Sequence, residues 1–239
     1  MITINKITIA IDGFSSCGKS TLAKALAKKL NYVFIDSGAM YRGISLYCIE
    51  NKISVDKEIN EEVLIQHLPD IEIHFELNTE NQSPELFLNG ENVENKIRKI
   101  EVASIVSKVA SIKEVRQKLV VLQQKMGELG GIVMDGRDIG SVVFPNAELK
   151  LFVTADPETR AQRRFLELQS KNENVTLEEI SFNLEERDRI DSTRKESPLR
   201  QANDAILLDN SNLNQEQQLE LVYTMIKEKI REISLLSNH

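Results

Sequence analysis

The sequence predicts an α/β fold in which helices flank a five-stranded parallel sheet, with a small antiparallel β insert. Five short, mostly apolar segments are separated by longer helical patterns, and one further segment alternates apolar and polar residues. Short apolar strands are typical of a parallel sheet that helices bury on both faces. The predicted parallel strands are Ile7–Asp12, Tyr32–Ile35, Ile132–Met134, Leu149–Val153 and Ala205–Leu208.

The alternating segment is Ile71–Val93. Its first part, Ile71-Glu-Ile-His-Phe-Glu-Leu77, has the period of two that a half-exposed strand requires. The Asn89-Gly90 pair between Leu86-Phe-Leu88 and Val93 is a hairpin signal. The segment is therefore predicted to form a small antiparallel insert.

Helices are predicted in the remaining segments. Asp156-Pro157 supplies a good N-cap and first-turn pair for one of them, and Gly130-Gly131 ends another. The predicted helices include Arg98–Ala110, Glu114–Leu129, Asp156–Ser170 and an amphipathic one over Asn214–Leu236.

Length and composition limit the class of protein. The chain has 239 residues, of which 41% are hydrophobic and 28% charged, as expected for one main globular domain. No segment reaches the ~18 apolar residues of a membrane span, and no signal peptide precedes the first strand, so we expect a cytoplasmic protein without membrane contact. Two cysteines and three histidines are too few for a disulfide framework or a zinc site.

The charge distribution favours small anionic ligands over nucleic-acid polymers. The net charge is −7, which argues against broad binding of nucleic acid. From Arg137 to Arg200, however, there are eight arginines and three lysines, against four arginines and fifteen lysines elsewhere. The planar donors of arginine suit phosphate and carboxylate, so the second half is predicted to bind oxyanions.

The stretch Gly13-x-x-x-x-Gly18-Lys19-Ser20 has the spacing of a P-loop, between a predicted strand and a predicted helix. Its amides and the helix N-terminus are expected to bind the phosphates of ATP. Lys19 would reach the β- and γ-phosphates and the Ser20 hydroxyl would face Mg²⁺. The predicted nucleotide-binding residues are Gly13, Phe14, Ser15, Ser16, Cys17, Gly18, Lys19, Ser20 and Thr21. The alternative is a glycine-rich turn that binds nothing.

A P-loop does not by itself distinguish a switch GTPase, a motor, a transporter subunit or a small-molecule kinase. A GTPase should carry an Asn-Lys-x-Asp motif, and the sequence has none. After the second predicted strand, Asp36-Ser37 caps a helix that carries Arg42. A small-molecule kinase fits these features best.

Three motifs make the resemblance specific. The chain resembles the bacterial cytidylate kinases over nearly its whole length. The resemblance is carried by Gly13–Thr21, Asp36-Ser37-Gly38-Ala39-Met40-Tyr41-Arg42 and Asp135-Gly136-Arg137-Asp138-Ile139-Gly140, followed by Val143-Phe144-Pro145 and Arg187-Asp188-Arg189. The resemblance implies phosphorylation of CMP and dCMP by ATP and Mg²⁺. It also implies one P-loop kinase domain over 1–239, with a core at 1–53, 99–155 and 190–239, a monophosphate-binding insert at about 54–98 and a helical lid at about 156–189.

The same resemblance implies site residues. Those at family positions that hold the monophosphate, its sugar and its base are Ser37, Arg42, Ser107, Arg116, Arg137, Asp138, Arg187, Asp191 and Arg194. Arg160 and Arg164 match lid arginines that approach ATP, although Arg163 leaves the choice open. With Lys19 and Arg137 they form the expected catalytic set, and Ser20 and Asp135 the expected metal set.

Residue chemistry supports part of this assignment. On a helix, Arg187, Asp191 and Arg194 fall within about 60° of one another, so they share one face. The turn after the third predicted parallel strand lies where open α/β sheets bind ligands, and an ionised Asp138 there can accept from the amino group of cytosine. Solvated ion pairs on the helix, and internal ion pairing of the turn, are the alternatives.

Two rival functions stay open at this point. One is a P-loop kinase with UMP or AMP as the acceptor, and the other is a nucleotide-dependent switch or binding protein. The last helix has an apolar face that would pack on its own sheet, so a monomer is expected.

Overall fold

The computed structural model describes residues 6–80, 83–170 and 173–236. The strands are β1 (Thr8–Gly13), β2 (Val33–Asp36), β3 (Ser54–Val55), β4 (Glu58–Ile59), β5 (Ile73–Leu77), β6 (Pro84–Leu88), β7 (Glu91–Asn92), β8 (Ile132–Gly136), β9 (Leu149–Thr154) and β10 (Ile206–Asp209). The α-helices are α1 (Lys19–Leu30), α2 (Ser37–Glu50), α3 (Glu61–His67), α4 (Ile100–Val109), α5 (Lys113–Gly127), α6 (Pro157–Gln169), α7 (Leu177–Thr193) and α8 (Gln215–Leu236).

The central sheet has five parallel strands in the order β10-β9-β1-β8-β2. This confirms the predicted fold class, and most strand ends differ from the prediction by one or two residues. The chain leaves β1 and β8 at the same edge of the sheet, because Asp12 pairs in register with Gly136. The loops after these two strands are therefore neighbours, as expected at the carboxyl edge of an open α/β sheet.

The predicted insert contains a three-stranded antiparallel sheet, in the order β5-β6-β7. Asn89 and Gly90 connect β6 to β7 with φ values of 48° and 81°, the left-handed pair that a tight hairpin turn requires. The sequence analysis did not identify the short pair β3-β4 or helix α3, which precede this sheet.

Two large apolar clusters pack the helices against the central sheet and against the insert. One lies between α1, α8 and the sheet and includes Ile9, Leu26 and Ile226. The other joins α2, α4 and α5 to the insert and includes Ile44 and Leu86. Burying a side chain of this size contributes about 1.5–3 kcal/mol, so the insert is held firmly on the core through α2.

Helices α6 and α7 pack on each other around a separate small cluster, Ala161, Leu168, Ile180 and Leu184. Helix α6 begins at Pro157 after Asp156, as predicted, but no side-chain hydrogen bond caps it. Thr176 and Glu179 form a capping box at the start of α7. In the part of the chain that the structure describes, no helix combines the length and apolar character of a membrane span.

Candidate active site

A cavity of about 910 Å³ opens at the carboxyl edge of the central sheet. The loop after β1, helix α2, the turn after β8, helices α4 and α5, and the α6–α7 pair all contribute to its wall. Of the residues predicted to bind nucleotides, those that line the cavity are Ser15, Ser16, Gly18, Lys19, Ser20, Thr21, Ser37, Arg42, Ser107, Arg116, Asp135, Arg137, Asp138, Arg164, Arg187, Asp191 and Arg194. Sequence-distant segments thus converge on one space.

At one end of the cavity lies the loop between β1 and α1. Gly18 has a φ of 91°, which a glycine adopts without steric cost, and it starts α1 without a side-chain cap. The free amides of the first helical turn are therefore available to an anion. Lys19 is buried, and its Nζ donates to the carbonyl of Phe14 at 2.7 Å. Burial and the charge of Arg137 lower the pKa of Lys19.

Gly13, Phe14 and Cys17 shape this loop from behind the cavity wall. Cys17 is fully buried, and its Sγ lies 3.0 Å from the carbonyl of Phe14. The Phe14 ring packs edge-on against Phe152 of β9, with 5.8 Å between centroids. These residues contribute to the backbone path of the loop.

Ser20 and Asp135 meet beside the loop. The Ser20 hydroxyl donates to Asp135 Oδ2 at 2.6 Å, and Asp135 Oδ1 is buried without a hydrogen-bond partner. Burial and the charge of Asp36 raise the pKa of Asp135 to about 6. Among the described residues, no group of three or more His, Cys, Asp or Glu side chains could hold a metal ion. An unpaired carboxylate oxygen next to a hydroxyl nevertheless fits Mg²⁺, which takes few protein ligands when it also binds phosphates and water.

The cavity wall also carries arginines that lack close acidic partners. Within the described ranges, neither Arg42 nor Arg187 forms an ion pair of 4 Å or less. Burial and the charge of Arg187 lower the pKa of Arg42 to about 9, and burial and the charge of Arg137 lower the pKa of Arg187 to about 10. The Nε of Arg187 is also buried without a partner. An oxyanion would relieve this excess of positive charge.

A hydrogen-bonded network connects the loop after β1 with helix α7. Arg137 donates from Nε to Asp191 Oδ2 at 2.9 Å and from Nη2 to the hydroxyl of Ser15 at 2.8 Å. Arg194 lies 3.7 Å from Asp191 Oδ1. Burial alone would raise the pKa of Asp191, but Arg137, Arg187 and Arg194 together hold it below its usual value. Arg187, Asp191 and Arg194 all line the cavity, but α7 ends at Thr193, so Arg194 is the C-cap residue rather than part of the predicted helical face.

Asp138 lies deeper, at the base of the cavity. It is 3% exposed, and its Oδ2 accepts a hydrogen bond from Arg116. Its Oδ1 is 3.9 Å from Arg194 Nη2, so this oxygen is free of close contacts from that arginine. Ser37, whose hydroxyl donates to the carbonyl of Asp135 at 2.7 Å, and Ser107 are buried in the same wall.

The α6 arginines that line the cavity are not the pair that the sequence analysis named. Arg160 does not line the cavity: its guanidinium is buried behind the loop, donates to the carbonyl of Ser15 at 3.3 Å and pairs with Asp188 at 2.5 Å. Arg163, which the sequence analysis left as an alternative, lines the cavity with Arg164. Its Nη2 donates to the carbonyl of Asn210 at 2.8 Å, whereas its Nη1 is buried without a partner.

Other polar residues of the cavity wall were missed by the sequence analysis. Arg98 pairs with Asp36 at 2.8 Å and with Glu94 at 2.7 Å. Asn210 donates to the carbonyl of Cys17 at 2.8 Å, and Gln218 is buried in α8. The position of Asn210 directly after a parallel strand was a usable signal, because ligands bind at that edge. No pattern in the sequence indicates Arg98 or Gln218.

Comparisons with known proteins agree with this geometry. A family model described as cytidylate kinase matches residues 9–228. The chain is 56% identical to the cytidylate kinase of Flavobacterium johnsoniae over 228 residues, 95% of this chain and 99% of that protein. It is 58% identical to the cytidylate kinase of Phocaeicola vulgatus over 211 residues, 88% of this chain and 92% of that protein. An uncharacterized protein from Eubacterium ventriosum shares the fold alone, with a TM-score of 0.52 and 11% identity over 93% of this chain and 99% of that one.

Proposed function

This chain belongs to the cytidylate kinase family, and we propose that it transfers the γ-phosphoryl group of ATP to CMP or dCMP, giving ADP and CDP or dCDP. One observation carries this proposal. A single cavity is lined by a P-loop and by half-buried guanidinium groups, those of Arg42 and Arg187, that form no ion pair of 4 Å or less with an acidic side chain. Such a cavity suits two phosphorylated ligands that meet end to end.

The donor phosphates bind to the amides at the start of α1 and to Lys19. In its present position Lys19 bonds to Phe14, and it exchanges this carbonyl for phosphate oxygens of higher charge. Arg163 and Arg164, rather than Arg160, reach the donor from α6. The unpartnered Nη1 of Arg163 supports this choice, whereas the groups of Arg160 are already bonded to Asp188 and Ser15.

Ser20 and Asp135 hold Mg²⁺, with Asp135 acting directly or through water. The orphaned Oδ1 of Asp135 supports this role. When bound, Mg²⁺ neutralises charge on the donor phosphates and orients them.

The acceptor monophosphate binds to Arg42, Arg187 and Arg137. Asp191 accepts from the sugar hydroxyls, and Ser37, Ser107, Arg116 and Arg194 complete the wall around sugar and base. Asp138 accepts from the amino group of cytosine, where uracil would present a carbonyl. The Oδ1 of Asp138, whose ion pair with Arg194 is as long as 3.9 Å, supports this reading.

The reaction needs alignment and positive charge more than covalent chemistry. The attacking oxygen of a monophosphate is already ionised, so no general base is required. Lys19, Arg137 and the α6 arginines stabilise charge on the transferred group, and the α6–α7 lid and the insert close over both nucleotides to exclude water. We further propose that the protein works as a cytoplasmic monomer and binds no nucleic-acid polymer, which its net charge of −7 supports.

An acceptor screen tests this function. ADP release from ATP and Mg²⁺ is followed by a coupled assay with CMP, dCMP, UMP, AMP or no acceptor. We expect release that depends on CMP or dCMP. Preference for UMP or AMP would reassign the acceptor, and equal release without any acceptor would indicate a hydrolysing switch protein instead.

A further inference from the structure

Asp12 is a buried carboxylate that the proposed reaction does not use. It lies in β1, directly before the first glycine of the P-loop, and is 3% exposed. Its Oδ1 accepts from the amide of Ile139 at 2.7 Å and its Oδ2 from the amide of Gly140 at 2.8 Å. Asp12 does not line the cavity, so it can affect a bound ligand only through the residues that it contacts.

The two amides belong to the turn that follows Asp138. Ile139–Val143 forms a short π-helical turn, and no side chain of Asp138 caps it. The first amides of a helical turn lack partners within the turn, and a carboxylate that accepts two of them fixes the entry of the chain. Gly140 also lies against the stem of Lys150, so the turn is confined on a second side.

The side chain and the backbone of Asp138 are held by different contacts, and those of the backbone come from this turn. Arg116 holds the carboxylate, and the carbonyl of Asp138 accepts from the amides of Val142 and Val143 at 2.9 and 3.2 Å. A shift of Ile139 and Gly140 therefore moves Asp138 relative to any base in the cavity. A displacement of about 1 Å in such a group is enough to cost much of its effect on a bound substrate.

We propose that Asp12 is a positioning residue for acceptor recognition: its two hydrogen bonds set the backbone at Asp138 and thereby the discrimination between pyrimidine bases. This inference rests on the proposed function. A role as a metal ligand does not fit, because both oxygens of Asp12 are occupied by amides and neither faces the cavity.

The test uses Asp12→Asn, which keeps the shape of the side chain and removes one acceptor. For this variant we expect the ratio of kcat/KM for CMP over UMP to fall by about tenfold, the effect of one hydrogen bond with a charged group. The KM for ATP should change by less than about twofold, since the loop amides are untouched. Asp138→Asn, which alters the base contact itself, gives the reference size of the loss.

Two controls separate positioning from stability. Ile226→Ala removes a buried side chain of α8, far from the turn, and should lower stability while leaving the CMP:UMP ratio unchanged. Asp204→Asn removes the carboxylate that pairs with Lys150 on the other side of the turn. If either control lowers the ratio as much as Asp12→Asn does, Asp12 has a merely structural role and the proposal is wrong.

A second measurement is independent of the acceptor that the enzyme prefers. Hydrogen exchange at the amides of Ile139 and Gly140 should become faster in Asp12→Asn, while exchange in β9 stays unchanged. Should Asp12→Asn fail to fold, replacing Ile139 by its α-hydroxy acid removes one donor and keeps the carboxylate, with the same expected loss of the ratio. A folded variant with faster exchange but an unchanged ratio overturns the proposal, whereas wild-type protein without activity on CMP overturns the proposed function alone.

Discussion

Ser20 Oγ donates a hydrogen bond to Asp135 Oδ2 over 2.6 Å, and this contact joins the first turn of α1 to the end of β8. The carboxylate keeps a second oxygen, buried and without a partner, beside it. Two elements that are more than one hundred residues apart in the chain thus supply the two residues of the proposed Mg²⁺ site.

This contact predicts a change in magnesium dependence. Asp135→Asn removes the negative charge but keeps the acceptor for Ser20, so we expect the Mg²⁺ concentration for half-maximal activity to rise by about tenfold, as one charge-assisted contact is worth. Ser20→Thr keeps the hydroxyl and serves as the matched control. An unchanged magnesium titration for Asp135→Asn would remove this residue from the metal site.

Replacing Lys19 should reduce turnover without unfolding the protein. Lys19→Ala removes the cation that meets the donor phosphates, and we expect kcat to fall by about 10²–10³-fold, as when one stabilising donor is lost from a transition state. Lys28→Ala changes an exposed lysine of the same helix and should have no effect. Coupled ADP release and the far-UV circular dichroism of both variants check this; near-normal turnover of Lys19→Ala would contradict it.

The α6 arginines should give opposite phenotypes. Arg163→Ala should lower kcat/KM for ATP by about tenfold, because a buried, unpartnered nitrogen close to Gly18 of the P-loop is lost. Arg160→Ala leaves Asp188 without its partner and should instead lower the free energy of unfolding, by about 3 kcal/mol for a buried pair. Steady-state kinetics and urea unfolding separate the two effects. If Arg160→Ala were fully stable and Arg163→Ala fully active, both assignments would be wrong.

The raised pKa of Asp12 predicts how its contribution to stability changes with pH. Burial raises the pKa of this carboxyl from 3.8 to about 7, and the charge of Asp138 adds to the rise, while the amides of Gly140 and Ile139 and the charge of Lys19 oppose it. The folded state therefore keeps a proton that the unfolded state has already lost between about pH 4 and pH 7. The contribution of Asp12 to the unfolding free energy should therefore fall across this window as the pH rises.

The matched comparison is again Asp12→Asn, which cannot ionise. Urea unfolding at about pH 5 and about pH 7.5 should show that wild-type protein loses stability relative to the variant as the pH rises. A constant difference between the two proteins would mean that Asp12 ionises with an ordinary pKa.

The sequence was sufficient for the parts of the fold that follow local rules. The apolar strands predicted the parallel sheet, and Asn89-Gly90 predicted the hairpin turn that the φ values show. Short elements with few residues, such as β3 and β4, were missed because two-residue strands carry no measurable periodicity.

Which side chains line the cavity cannot be predicted from the pattern of any single helix. Each residue turns a helix by about 100°, so Arg160 and Arg163 lie on neighbouring parts of α6, and only the packing of α6 decides which of them meets the cavity. Spacing did predict that Arg187 and Asp191 share a face, since both lie in α7, whereas Arg194 follows the last residue of that helix. The pairing of Asp12 with the turn after Asp138 depends on the register of β1 and β8, which the sequence does not reveal.

Arg137 touches the hydroxyl of Ser15 with one nitrogen and Asp191 with another, so the wall around the donor and the wall around the acceptor share a side chain. Linkage requires that if one ligand alters the affinity for its neighbour by some factor, the neighbour alters the first affinity by the same factor. A single guanidinium group in this position gives such reciprocal coupling a direct structural path between the two proposed ligands.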